Sequence, residues 1–146
     1  ELEHAIDLSP NFALGHYTLA FVHAQAGDAA TAITASDFSR NLSPYDPLLF
    51  GMLGARAMAL VRLGRYEEAA QWAVKAAARP NAHAHILGIA AYSLALAGSL
   101  DEAHAQAQAI RKALPDYTVA NFLAAFHFDA QGDAAFREGA RRIGMA

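Results

Sequence analysis

Seven histidines are the side chains of this chain that could bind a metal ion or carry a proton, and there is no cysteine. His83 and His85 are two residues apart, which places them on different faces of a helix. His16 and His23 share a face but lie about two turns apart, roughly 10 Å, which is too far for both to bind one ion. The spacing therefore predicts no metal site. It favours packing between helices, with one ring nitrogen hydrogen-bonded, for His16, His23 and His127, and exposed rings for the other histidines.

No other residue pattern indicates catalysis. The sequence lacks a glycine-rich phosphate loop, a nucleophile elbow and a pair of carboxylates with catalytic spacing. The acidic pairs Glu67–Glu68 and Asp101–Glu102 stand at expected helix starts, where carboxylates interact favourably with the helix dipole. We therefore expect a protein that is not an enzyme and has no catalytic residue, metal or other cofactor.

Composition and charge predict one cytoplasmic domain. The chain has 146 residues, of which 55% are hydrophobic, and its formal net charge is −3. This balance does not favour binding to nucleic acid or to an anionic membrane. No apolar run approaches the roughly 20 residues that cross a bilayer, and the lack of cysteine fits a reducing compartment.

Glycine and proline each recur at a period of about 35 residues. The glycines are Gly27, Gly64, Gly98 and Gly132, and the prolines are Pro10, Pro44, Pro80 and Pro115. Each proline follows an apolar segment and predicts a helix end. Each glycine predicts a left-handed residue that closes the next helix, with Asp28, Ser99 and Asp133 as candidate N-caps after it. A period of this length is typical of stacked helical hairpins.

The same signals place the individual helices. Ser99 and Glu102 match the capping-box pattern, in which the two side chains satisfy backbone donors at a helix start. We expect no strand, and helices over 2–8, 11–26, 29–42, 47–63, 66–79, 82–97, 100–113, 117–131 and 134–143.

Three segments carry a family resemblance. They are Ala26-Gly27-Asp28-Ala29-Ala30-Thr31-Ala32-Ile33, Leu63-Gly64-Arg65-Tyr66-Glu67-Glu68-Ala69-Ala70 and Ala97-Gly98-Ser99-Leu100-Asp101-Glu102-Ala103. They resemble the turn and second-helix start of tetratricopeptide (TPR) repeats, including the small alanine five residues after the glycine, which lets the paired helices approach closely. The resemblance implies an all-α fold, a right-handed superhelical solenoid of antiparallel helix pairs.

The repeats divide the chain into five segments. Residues 1–10 resemble the second helix of a truncated repeat, 11–44, 45–80 and 81–115 resemble full repeats, and 116–146 resembles a degenerate repeat with a C-terminal cap. The chain is thus expected to be cut from a longer protein. Its C-terminal half is similar to the TPR regions of bacterial multidomain regulators, such as those joined to class III adenylate cyclase or winged-helix DNA-binding domains. That similarity implies an output domain before Glu1.

The resemblance also implies a binding surface. In TPR-like folds the first helix of each repeat lines a concave groove, and helical spacing projects an apolar set of residues onto that groove: Leu14, Tyr17, Phe21, Gly51, Gly54, Met58, His85, Gly88, Tyr92, Phe122 and Phe126. Glycines inside helices are unfavourable by about 1 kcal/mol each relative to alanine, so these either admit a ligand or allow tight packing between repeats. Chaperone-tail binding, which uses lysine and asparagine in this family, is not expected.

Two functions follow from this surface. One is a protein-binding scaffold, whose groove receives a peptide or helix of a partner or a second copy of the chain. The other is a ligand-responsive regulatory domain of a signalling enzyme or transcription regulator.

Arg56 departs from the apolar pattern of its helix. Its charge needs an acid partner such as Asp37 or Asp46, or else the register of the helix is shifted.

Overall fold

The computed structural model describes residues 1–9 and 11–146, so Pro10 of the proline series lies outside the described residues. The described residues form helices and no strand, which confirms the all-α class. The helices are α1 (Leu2–Leu8), α2 (Ala13–Gln25), α3 (Ala29–Leu42), α4 (Leu49–Arg62), α5 (Tyr66–Ala77), α6 (Ala84–Leu96), α7 (Leu100–Ala113), α8 (Val119–Ala125) and α9 (Ala130–Arg142). None of these described helices has the length and hydropathy of a membrane span.

Two of the four periodic glycines close helices in the predicted way. Gly64 and Gly98 have φ values of 74° and 86°, in the left-handed region that favours glycine. Gly27 lies in a turn without a positive φ, and there the His23 ring nitrogen Nδ1 accepts a hydrogen bond from the Asp28 backbone N–H at 3.0 Å. The prediction of a left-handed residue is thus wrong at Gly27, because the histidine supplies the acceptor that ends the turn.

The predicted N-caps also have different outcomes. Asp28 caps α3, since its carboxylate accepts from the backbone N–H groups of Ala30 and Thr31, which confirms that prediction. Ser99 makes no capping hydrogen bond. Its ψ of 65° is short of the extended value that directs an N-cap side chain toward the first turn. The capping box predicted at Ser99 is therefore wrong.

The last two helices differ most from the prediction. The helix expected over 117–131 ends at Ala125, and the next begins at Ala130 instead of 134. Asp129 is the N-cap of α9, and its carboxylate accepts from the Gly132 backbone N–H at 2.8 Å. Gly132 therefore lies buried in the first turn of α9 and closes no helix, and Asp133 is not an N-cap.

Neighbouring helices pack in pairs, α2 on α3, α4 on α5 and α6 on α7, and α4 also packs on α2 and on α6. We call α2, α4 and α6 the inner layer. Alanines fill the contacts between the helices of each pair, and Ala32, Ala69 and Ala103 are fully buried. Their small side chains allow the close approach that the sequence predicts.

The end of the chain folds back over the inner layer. We call α8, residues 126–129 and α9 the C-terminal arm. α9 packs on both α6 and α4, and at Gly139 it is so close to α6 that an added Cβ would lie 2.8 Å from the Tyr92 carbonyl oxygen. Backbone meets backbone there. The arm therefore covers part of the surface that the sequence analysis assigns to an open groove.

Candidate binding site

An apolar cavity of about 230 Å³ lies between the inner layer and the C-terminal arm. Its lining comes from all three inner helices, from the residue before α6 and from the end of α8: Tyr17, Phe21, Phe50, Gly51, Gly54, Ala55, Met58, His83, His85, Ile86, Ile89, Ala125 and Phe126. This lining contains no Asp, Glu, Lys or Arg. The cavity therefore suits an uncharged group.

The structure brings seven of the eleven predicted groove residues into this cavity. They are Tyr17, Phe21, Gly51, Gly54, Met58, His85 and Phe126. Helix periodicity accounts for the first six lying together, because side chains three or four residues apart share one face of a helix. The seventh, Phe126, closes the cavity from the arm, and its ring centroid lies 6.0 Å from that of Phe21.

The two glycines of α4 have different surroundings. A Cβ on Gly51 would lie 2.8 Å from the Cζ atom of Tyr17, so this glycine makes room for a side chain of α2. A Cβ on Gly54 would meet only the tips of Ile86 and Ile89, both at 3.3 Å. Gly51 thus fits the packing explanation, and Gly54 leaves space within the cavity.

The other four predicted residues lie elsewhere. Leu14 is 45% exposed on α2, and Gly88 packs under Phe122, whose ring carbon Cδ2 would be 3.0 Å from an added Cβ. Tyr92 and Phe122 are fully buried and contact each other edge to face, with ring centroids 5.0 Å apart. An open groove past these two rings is not present, because the arm places them inside the core.

Sequence reasoning missed the His83 contribution. His83 precedes α6 in extended conformation (φ −99°, ψ 176°), so the helical projection that separates it from His85 does not apply. The two rings lie edge to face with centroids 5.7 Å apart, and His83 also contacts Phe50 at 5.6 Å. The prediction that these histidines occupy different faces is wrong, and the cavity brings them together.

The polar atoms of the cavity are few. His85 Nδ1 is hydrogen-bonded to the Tyr117 hydroxyl at 2.7 Å. Within residues 1–9 and 11–146, the Tyr17 hydroxyl, the His83 ring and His85 Nε2 have no hydrogen-bond partner. Burial lowers the pKa of His83, and burial together with the nearby His83 lowers the pKa of His85. Both imidazoles are therefore neutral at pH 7.

The remaining histidine predictions are partly confirmed. His23 has the expected hydrogen bond at one ring nitrogen, and the His16 ring packs on Phe38 with centroids 4.5 Å apart. His127 is exposed, so its predicted burial is wrong; its backbone N–H donates to the Gln25 side chain at 2.6 Å. No three potential metal-ligating side chains gather within the described residues.

A buried arginine fixes the arm beside the cavity. Arg62, at the end of α4, is 8% exposed and donates to the carbonyl oxygens of His23 (2.8 Å) and Gly27 (2.9 Å). It also donates to the carboxylate of Asp129 at 2.7 Å. Hydrogen bonding to Arg62 lowers the pKa of the Asp129 carboxyl. The C-terminal end of α2, the end of α4 and the start of α9 thus meet at one side chain.

Arg56 has the acid that the sequence analysis requires. Its guanidinium donates to Asp37 at 2.6 Å, which confirms that one of the two acids named for it is its partner. The same guanidinium lies 4.6 Å from the centre of the Trp72 ring. Arg56 therefore has a structural role between α3, α4 and α5, outside the cavity.

The comparisons with known proteins add no relative. The chain matches no protein-family model, no curated protein and no solved structure. The cavity and the repeat motifs of the sequence are therefore the features that bear on function.

Proposed function

We propose that the protein is a non-catalytic binding module, with its helix pairs arranged as a TPR-like right-handed solenoid, that binds a segment of a partner protein in the cavity. One observation carries this proposal: seven residues that the sequence assigns to a groove, on four different helices or their ends, line one uncharged cavity. Apolar pockets that bury a single anchor side chain dominate the affinity of many protein interfaces.

The arm changes the mode of binding that the sequence suggests. A whole partner helix would need the length of the inner layer, but α9 already lies on α4 and α6. The cavity that remains holds one side chain or one small molecule. We therefore expect a peptide with a single apolar anchor, and not a helix laid along the groove.

A peptide-display selection on the folded chain tests this function. The chain should enrich sequences with one large apolar residue in a fixed context, and the Gly54→Leu variant should lose them, because leucine fills space that the cavity offers. Ala109→Leu adds the same side chain to an exposed site of α7 and is the matched control. Selected peptides that bind Gly54→Leu and the control equally would place binding outside the cavity.

A ligand-responsive regulatory domain is the second candidate. The volume of the cavity favours it, since about 150 Å³ of apolar space is enough to bind benzene in an engineered protein. A ligand that binds only the folded state raises the melting temperature. A thermal-shift screen of small apolar compounds against the chain and Gly54→Leu would distinguish this candidate from peptide binding.

A further inference from the structure

We infer that the group bound in the cavity is a phenol ring, presented as the tyrosine side chain of a partner protein. This inference rests on the proposed function and makes it more specific. It follows from the size of the cavity, from its ring-lined wall and from the three polar groups that have no partner.

Size and shape favour one aromatic ring. A cavity of about 230 Å³ exceeds the roughly 150 Å³ that accepts benzene, so a benzene ring with small substituents fits. Phe21, Phe50 and Phe126 belong to its lining. Aromatic rings pack on one another in tilted or edge-to-face geometry and gain about 0.5–1.5 kcal/mol beyond their burial.

The polar groups favour a hydroxyl on that ring. Tyr17, His83 and His85 belong to the cavity lining, and the Tyr17 hydroxyl, the His83 ring and His85 Nε2 have no hydrogen-bond partner among the described residues. A neutral imidazole has one accepting nitrogen, and a tyrosine hydroxyl can donate to it while it accepts from another donor. Tyr17 and His85 are half-buried and His83 is exposed, so a hydroxyl on the bound ring can form hydrogen bonds with these groups that a phenylalanine or leucine anchor cannot form.

The absence of lining charge excludes an acid or an amine as the anchor. The lining includes no Asp, Glu, Lys or Arg that could pair with a carboxylate or an ammonium. Burying an unpaired charge is far less favourable than burying a hydroxyl that is hydrogen-bonded. Tyrosine combines a large apolar ring with one uncharged polar atom, which matches this wall.

The test compares p-cresol, which reproduces the tyrosine side chain, with toluene, which reproduces that of phenylalanine. Binding to the 146-residue chain is followed by NMR through the backbone amide signals of Gly51 and Gly54. We expect p-cresol to bind at least about tenfold more tightly than toluene, since sites built to hydrogen-bond a hydroxyl reject the analogue without one. Tyr17→Phe and His83→Phe should each reduce this ratio, and His104→Phe on exposed α7 is the control that should leave it unchanged.

A pair of short peptides tests the source of the ring. A blocked pentapeptide with a central tyrosine should bind more tightly than its phenylalanine analogue and compete with p-cresol. If p-cresol binds but the tyrosine peptide does not, the occupant is a free phenol and the tyrosine assignment is overturned.

The outcomes separate this inference from the proposed function. Equal binding of p-cresol and toluene, unchanged by Tyr17→Phe and His83→Phe, would overturn the tyrosine assignment and leave an apolar anchor site in place. No binding of either compound, with no shift of the Gly51 and Gly54 signals, would overturn both.

Discussion

Replacing Arg62 by methionine should weaken the junction between the C-terminal arm and the inner layer. Methionine keeps much of the length and apolar contact of the arginine stem. It removes the donors to the carbonyl oxygens of His23 and Gly27 and to the Asp129 carboxylate, at 2.8, 2.9 and 2.7 Å. These acceptors then have to find water or remain unpaired.

The expected loss follows from how accessible those acceptors are. Removing one member of a buried ion pair costs about 3–5 kcal/mol, because the other charge is left without a partner. The Asp129 side chain is 34% exposed, so water reaches it after the substitution. We therefore expect a loss of about 2–3 kcal/mol, a large part of the roughly 5–15 kcal/mol that stabilises a typical domain.

Urea unfolding with linear extrapolation measures this loss. Arg137→Met is the matched control, because Arg137 is 56% exposed and pairs with Asp133 one turn away; exposed pairs of this type contribute about 0.5 kcal/mol or less. Faster amide hydrogen exchange at His127 and Asp129, which donate to Gln25, should accompany the loss in Arg62→Met. Equal free energies of unfolding for the two variants would refute the reasoning.

Two further predictions concern close packing and protonation. Gly139→Ala should destabilise the fold by about 1–3 kcal/mol in the same urea assay, because the added Cβ would lie 2.8 Å from the Tyr92 carbonyl oxygen. Gly54→Ala should be neutral or stabilising by up to about 1 kcal/mol, because its Cβ would contact only the tips of two isoleucine side chains. The pKa values of His83 and His85 are lowered in the folded chain from the ordinary histidine value of 6.5. As the pH falls toward and below 6.5, the unfolded chain therefore binds more protons than the folded chain. Stability should therefore fall as the pH decreases from 7 to 5.5, and less steeply after substitution of both histidines by glutamine; equal slopes would contradict the assignment.

Local sequence signals predict the helices well as far as residue 115. Gly64 and Gly98 end α4 and α6 as expected, since a glycine of positive φ leaves the helix without steric strain. Asp28 caps α3 for an equally local reason, because the backbone N–H groups that donate to its carboxylate lie within three residues of it. Such interactions involve residues that are close in sequence, so local sequence patterns predict them.

The C-terminal arm depends on distant partners and could not be predicted in this way. Gly132 keeps the spacing of the glycine series, yet Asp129 begins the helix three residues earlier. Asp129 is held there by Arg62, 67 positions away in the sequence, and its backbone N–H donates to the Gln25 carbonyl oxygen. Nothing in the local pattern distinguishes this aspartate from Asp133.

The residues of the candidate site are likewise predicted from the sequence only where local structure determines their position. Helical spacing selects the cavity residues on α2 and α4 because the period of the helix alone sets their common face. His83 escapes that rule because it precedes α6 in extended conformation. Tyr92 and Phe122 have the right spacing, but the arm buries them. The period predicts which side chains share a face, and only the tertiary fold determines what covers that face.

Substitution of Arg62 should also change the cavity, although Arg62 is not part of its wall. Arg62 lies one turn after Met58 on α4, and its ion pair with Asp129 holds the start of α9. Asp129 is three residues after Phe126, the residue that closes the cavity from the arm. Loosening that start lets the Phe126 ring move and lowers its contact with a bound ring. In Arg62→Met we therefore expect weaker p-cresol binding, by about tenfold for each 1.4 kcal/mol of lost contact, with no change in Arg137→Met. Equal affinities in the two variants, under conditions where both are folded, would show that Phe126 is positioned independently of the arginine.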